Sequence, residues 1–197
     1  CEYKILIRLG IHRETAAKAH HKILVVLYGR ITVHEHEWDD LEQLVDLGQT
    51  SSGLPIQINQ RVVAADRVVV TGTIGLHYFA GYGGGRKSLV PGVASRTTCM
   101  ATHFAIFNPP EEGGRNPHAR TANLDGNPVH LAILEAAKTI KPDFLLNTVL
   151  TTDKKIAKVF CGDLEQAHLA GCELAQRLYT APLQQAADLA IVSCGGE

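Results

Sequence analysis

The chain has 197 residues, enough for one well-cored domain or a domain plus part of another. Its 19 basic and 20 acidic residues nearly cancel, which excludes the electrostatic footprint of a nucleic-acid binder, and no basic run marks a membrane surface. Apolar runs such as residues 23–28 and 68–70 have the length of core elements rather than of membrane spans, so small-molecule chemistry is the expectation.

Strand and helix signals alternate. Residues 3–9 (YKILIRL) read as a core strand ended by Gly10, residues 15–27 as a helix, and residues 31–34 as a short strand. Residues 43–47 and 54–58 are β candidates joined by a polar, glycine-containing connection. Asn59 is placed to cap a short helix to Ala65, ahead of a strand over 67–71. A glycine-rich loop follows over 72–85, with a helix signal running through Lys87. Ser95 or Thr97 is placed to cap a further helix to about Phe107. Residues 108–127, rich in Pro, Gly and Asn, read as a long surface loop, and long ordered loops are usually functional. Residues 128–140 are helical with Pro128 in the first helical position. Residues 144–150 and 157–161 are strands. Residues 164–179 form an amphipathic helix whose apolar face includes Leu164, Ala167, His168, Gly171 and Leu174. Residues 188–193 read as a last strand.

This alternation predicts an α/β fold, a layered domain with a mixed or parallel sheet and flanking helices. Strand signals close to both ends point to a truncated part of a larger two-domain protein, with residues 1–180 as one domain and 181–197 as the beginning of the next. A complete small domain with buried termini is the alternative. The five cysteines, Cys1, Cys99, Cys161, Cys172 and Cys194, are scattered with no C-x-x-C, the usage of reduced thiols in a cytoplasmic protein.

The most informative segment is residues 77–92, HYFAGYGGGRKSLVPG. Glycines after a buried strand let the backbone approach a ligand, and a helix entered from them offers N–H groups and a positive dipole end to an anion. Gly83, Gly84, Gly85 and Arg86 are therefore candidates for cofactor binding. A nucleotide-triphosphate loop needs Gly directly before its Lys, where Arg86 stands. A dinucleotide fingerprint needs an acidic residue about 20 positions on beside a second strand, and none is there. Arg86 and a helix end would both disfavour the protonated form of Lys87. Such a lysine serves as a nucleophile or covalent anchor, although from these residues alone a solvated or phosphate-pairing lysine fits as well.

The run HYFAGYGGGRKSLVPGVASR over 77–96, followed by His103, resembles the central signature of the nickel-dependent lactate racemase family. The resemblance extends to Gly10-Ile11-His12-Arg13, Trp38-Asp39-Asp40, residues 44–48, Leu124-Asp125-Gly126-Asn127-Pro128 and residues 191–196. It implies that Lys87 covalently holds a nickel pincer nucleotide, a pyridinium-derived mononucleotide, and that His103 ligates its nickel. It also implies that His12 and His77 are the paired acid/base residues. The implied reaction is racemisation of a 2-hydroxy acid, lactate or a relative, by hydride transfer. The implied partners are that small-molecule substrate and the proteins that synthesise the cofactor. The family usually has Ser where Gly83 stands and Pro where Glu14 stands. Its upstream Asp-His-x-Arg motif and its C-terminal lysine, both near the substrate, are not in this sequence.

The residue types suit that chemistry. Two imidazoles, with ordinary pKa values near neutrality, can exchange a hydroxyl proton on either face of a substrate, and imidazole is a suitable nickel ligand. Other readings fit the residues alone. One is a non-catalytic nucleotide- or phosphate-binding domain. Another is a zinc hydrolase using His12, His77 and His103, which lacks an evident carboxylate base at motif spacing. Among the ten histidines, His34 and His36 read as an exposed strand end between Glu35 and Glu37, and His118, His130 and His168 carry no motif.

Overall fold

A computed structural model describes residues 2–7, 29–182, 185, 188, 189 and 191. The expected helix over 15–27, His12, and half of the expected strand over 188–193 lie outside the described residues. Strand β1 (Lys4–Ile7) pairs in parallel with β2 (Thr32–Glu35). The expected β candidates form an antiparallel hairpin of β3 (Leu44–Gln49) and β4 (Pro55–Asn59). Asn59 ends β4 and caps α1 (Gln60–Val63), its side chain accepting from the Arg61 N–H at 3.0 Å.

Strand β5 (Val69–Ile74) starts the main sheet. It runs to Ile74, so the first residues of the expected 72–85 loop are strand. Much of the rest is a two-residue hairpin of β6 (Leu76–His77) and β7 (Gly81–Tyr82). Ser95 caps α2 (Arg96–Phe104), accepting from Thr98 N–H at 3.1 Å. Asn127 caps α3 (Pro128–Thr139) with bonds from the Val129 and His130 amides, and Pro128 supplies a residue whose missing N–H costs nothing there.

Strand β8 (Phe144–Leu150) lies in the middle of the sheet, parallel to β5 and antiparallel to β9 (Ile156–Gly162). Helix α4 (Gln166–Tyr179) packs across these strands. The sheet is thus mixed and flanked by helices: the predicted α/β layered class is observed. Strand periodicity turns Leu145, Asn147 and Val149 of β8 to one face, and all three are fully buried. The main core joins Ile56 and Ile58 of the hairpin, Val70 and Leu145 of the sheet, Ile133 of α3 and residues 89–94. Each fully buried branched side chain there contributes about 2 kcal/mol of transfer free energy. A second cluster, Ile74, Tyr82, Val149, Cys172 and Ala175, fastens α4 over the sheet. No helix among the described residues is long and apolar enough to cross a membrane.

Two expectations are corrected. The helix signal through Lys87 is a 3-10 turn of four residues, Gly85–Ser88, and the next α-helix begins only at Arg96. An α-helical dipole end beside Lys87 is therefore absent. His36 is not an exposed strand end but is buried, its Nε2 2.8 Å from the Ala94 carbonyl and its Nδ1 3.2 Å from Asn59 Nδ2. Those partners lie far along the chain, so flanking acidic residues say nothing of them.

Candidate active site

The site grows from the end of β5. After Ile74 the chain turns at Gly75, runs through the β6–β7 hairpin and returns along Gly83, whose N–H donates to the Gly75 carbonyl at 2.8 Å. Gly84 and Gly85 then adopt positive φ values of 69° and 54°, a region that side chains disfavour. A Cβ on Gly84 would lie 2.7 Å from Asn147 Oδ1, and one on Gly85 would lie 2.5 Å from the His168 ring. The turn thus lies directly against β8 and α4. The buried Asn147 Oδ1 accepts from Gly85 N–H at 2.7 Å, and Lys87 N–H donates to Gly84 O at 3.1 Å. The amides of Gly83, Gly85 and Lys87 are thereby bonded within the protein. These three N–H groups are therefore not free to meet an anion, and the turn brings Lys87 beside Phe79.

Phe79, 3% exposed, is the hub. The Lys87 Nζ lies 5.7 Å from the centroid of its ring, a cation–π distance. The His77 ring meets it edge-on at 4.6 Å between centroids, and the His103 ring at 5.3 Å. Tyr78 stacks on His77 at 5.0 Å and itself meets the Phe79 ring edge-on at 4.6 Å. The Phe79 carbonyl accepts from Asn127 Nδ2 at 2.9 Å, tying the hairpin tip to the start of α3. Three of the residues singled out in the sequence therefore surround one side chain that sequence reasoning treated as packing.

His77 Nδ1 accepts from Ala80 N–H at 3.2 Å, so the proton of the neutral ring sits on Nε2. Burial first, then the charges of Lys87, Arg86 and His103, push its pKa down to about 4, and the ring is neutral at pH 7. His103 has the opposite arrangement. Its Nδ1 donates to the Cys99 carbonyl one helical turn earlier, at 2.7 Å, which leaves the lone pair on Nε2. A backbone acceptor on one ring nitrogen with a lone pair on the other is the usual posture of a metal-binding imidazole. Among the described residues no group of three or more His, Cys, Asp or Glu side chains is arranged to hold a metal ion.

Arg86 points the other way. It is 1% exposed, with Nη2 donating to Ala80 O at 2.8 Å and Nη1 to Tyr82 O at 3.1 Å. Its Nη1 also lies 2.9 Å from His168 Nε2, and burial lowers its pKa to about 10. His168, 2% exposed, is a residue the sequence reasoning passed over. The available signal was a histidine on the apolar face of α4.

The model of the lactate racemase N-terminal domain matches residues 2–114. The chain belongs to that family. It is 39% identical to a lactate racemase of Lactiplantibacillus plantarum and 38% identical to one of Thermoanaerobacterium thermosaccharolyticum. Each alignment covers 98% of this chain and 44% of the relative, so the chain spans less than half the length of the curated relatives it matches. The structure of the lactate racemase apoprotein from T. thermosaccharolyticum superposes with a TM-score of 0.80 at 36% identity, over 89% of this chain and 41% of that one. A Thermotoga maritima protein matches with a TM-score of 0.70 at 23% identity, over 90% of this chain and 47% of that one, which shows the shared fold alone.

Proposed function

We propose that this chain is the cofactor-bearing part of a 2-hydroxy-acid racemase or epimerase, acting on lactate or a related acid. Residues 1–180 are read as that domain and 181–197 as the beginning of the next. The observation that carries the reading is the convergence of Lys87, His77 and His103 on the Phe79 ring.

The residues fit a nickel pincer nucleotide held by Lys87, because they offer an amine anchor and, close to it, an imidazole with its Nε2 lone pair available for a metal. When bound, that group supplies a reversible acceptor for the α-hydrogen as hydride. The protein's own share is binding and proton movement. Lys87 anchors, His103 ligates, and Arg86 with Gly83, Gly84 and Gly85 shapes the turn. His77, together with His12 outside the described residues, exchanges the hydroxyl proton on the two faces of the substrate. A neutral His77 is the state required to receive a proton.

The test uses full-length protein co-expressed with the proteins that synthesise the cofactor. Intact mass should show an adduct that Lys87→Ala abolishes, with nickel near one per chain, and either enantiomer of lactate or a related 2-hydroxy acid should be converted to the racemate. An adduct mapped to another lysine, or nickel-free protein of unmodified mass, would refute the reading and favour a non-catalytic nucleotide- or phosphate-binding domain.

A further inference from the structure

Beneath the glycine turn, against helix α4, lies a buried polar cluster that includes the turn's own arginine. Its centre is Arg86. A buried guanidinium is ordinarily paired with a carboxylate, because an uncompensated charge in the interior is costly. Among the described residues no carboxylate lies within ion-pair distance of it. Its bonded partners are the Ala80 and Tyr82 carbonyls and the imidazole of His168.

The ring tautomer decides the role of His168 Nε2, which lies 2.9 Å from Arg86 Nη1. With the ring proton on Nδ1 it accepts from the guanidinium, which can only donate, and with the proton on Nε2 it donates to the Gly83 carbonyl instead. The ring is neutral: burial, then the charge of Arg86, pushes its pKa down to about 3. Nε2 also lies 2.9 Å from the Gly83 carbonyl, a contact that makes no hydrogen bond when Nε2 accepts from Arg86. The ring is wedged under the turn, since Gly85 has no room there for even a Cβ.

The bonds continue toward the site. Ala80 receives Arg86 Nη2 on its carbonyl at 2.8 Å and gives its own N–H to His77 Nδ1 at 3.2 Å. From these contacts we propose that His168 and Arg86 are positioning residues for His77. His168, with its proton on Nδ1, orients the guanidinium, the guanidinium fixes the Ala80 backbone, and Ala80 holds the His77 ring with its proton on Nε2. The consequence for turnover rests on the reading of His77 as an acid/base residue; the hydrogen-bond relay does not.

The tautomer of His77 is read by long-range 1H–15N spectra of full-length, 15N-histidine-labelled protein free of cofactor, with His77 assigned by its loss in His77→Gln. The expected native result is one Nε2–H tautomer. His168→Phe fills the space but cannot accept, and should give a mixture of tautomers at His77. His168→Gln, whose amide oxygen accepts, should restore the native signal. His36, held by a separate network, reports global loosening. An unchanged His77 in His168→Phe would overturn the relay, as would a parallel change at His36 or a Gln variant no better than Phe. Should His168→Phe not fold, His168→Met is judged by the same outcomes.

In cofactor-loaded enzyme, His168→Phe should lower kcat about tenfold or more with KM little changed, and His168→Gln should recover it. Loaded native protein without racemase activity would sink the proposed function while leaving the tautomer result intact.

Discussion

The Lys87 ammonium lies 5.7 Å from the centroid of the buried Phe79 ring, and the same ring receives His77 and His103 at its edges. One side chain thereby sets the mutual distances of three reactive groups. Phe79→Leu removes the π face and leaves a space, a change that costs about 1–3 kcal/mol in a packed interior. The expected outcome is a folded full-length protein with a lowered Tm and at least tenfold less activity, by the sensitivity of catalysis to misplacement. Phe79→Tyr should keep more of both. Equal activity for Phe79→Leu and the native protein, measured with matched nickel loading, would remove the hub role.

His103→Ala should leave the fold intact and strip or weaken nickel binding. The reason is local: the Cys99 carbonyl fixes the proton on Nδ1 and leaves Nε2 the ligating atom. Nickel content by mass spectrometry and the visible spectrum check this. Unchanged values would reassign the ligand.

His77→Ala should lower turnover roughly a hundredfold or more, the scale of a positioned general acid/base. The loss should appear in both directions, because racemisation uses one histidine to begin and the other to finish. Initial rates from each enantiomer decide it; near-native rates would take His77 out of the mechanism.

Gly85→Ala tests the floor of the turn. The new methyl would sit 2.5 Å from the buried His168 ring, at a φ of +54°. Strain at such a backbone adds about 1 kcal/mol and overpacking about 1–3 kcal/mol. A fall in Tm of several degrees is expected. Gly53→Ala is the control: it carries a positive φ but meets open space, so only the backbone cost applies. Equal shifts for the two variants would show that close packing under Gly85 is not what demands glycine.

Local signals were read well because they act locally. Residues 144–150 are the predicted strand to the residue, Asn59 and Ser95 cap the helices that follow them, and Pro128 opens its helix as expected. Lys87, His77 and His103 stood out through the motif that contains them. The partners of His168 and His36 were not legible, since His168 meets Arg86 across 82 positions and His36 meets Ala94 across 58. No local periodicity carries such contacts. The turn at Lys87 was misread as helical because its form depends on Gly84 and Gly85 folding back onto β8, which is tertiary packing rather than propensity.

Acid should destabilise the chain well above the carboxylate range. His36, His130 and His168 are buried, and burial lowers the pKa of each, to about 4 for His130 and about 3 for His168. The unfolded chain binds protons at these rings near pH 6.5, whereas the folded chain binds them only at lower pH. Above that range both states are neutral, and the stability is fully present. As pH falls through about 6.5 the unfolded state gains protons first, so stability drops by up to about 1.4 kcal/mol per pH unit for each ring. The loss continues until the folded pKa is reached. Unfolding of full-length protein by urea at pH 7.5 and pH 5 measures it, above the range in which Glu135, Asp143 and Asp163 titrate, since their pKa values are lowered further. His168→Gln removes one titrating ring while keeping an acceptor for Arg86, and should flatten the slope, the remainder coming from rings such as His130 and His77, both pushed down to about 4. Equal stability at pH 7.5 and pH 5 would mean that these histidines are not held neutral in the folded chain.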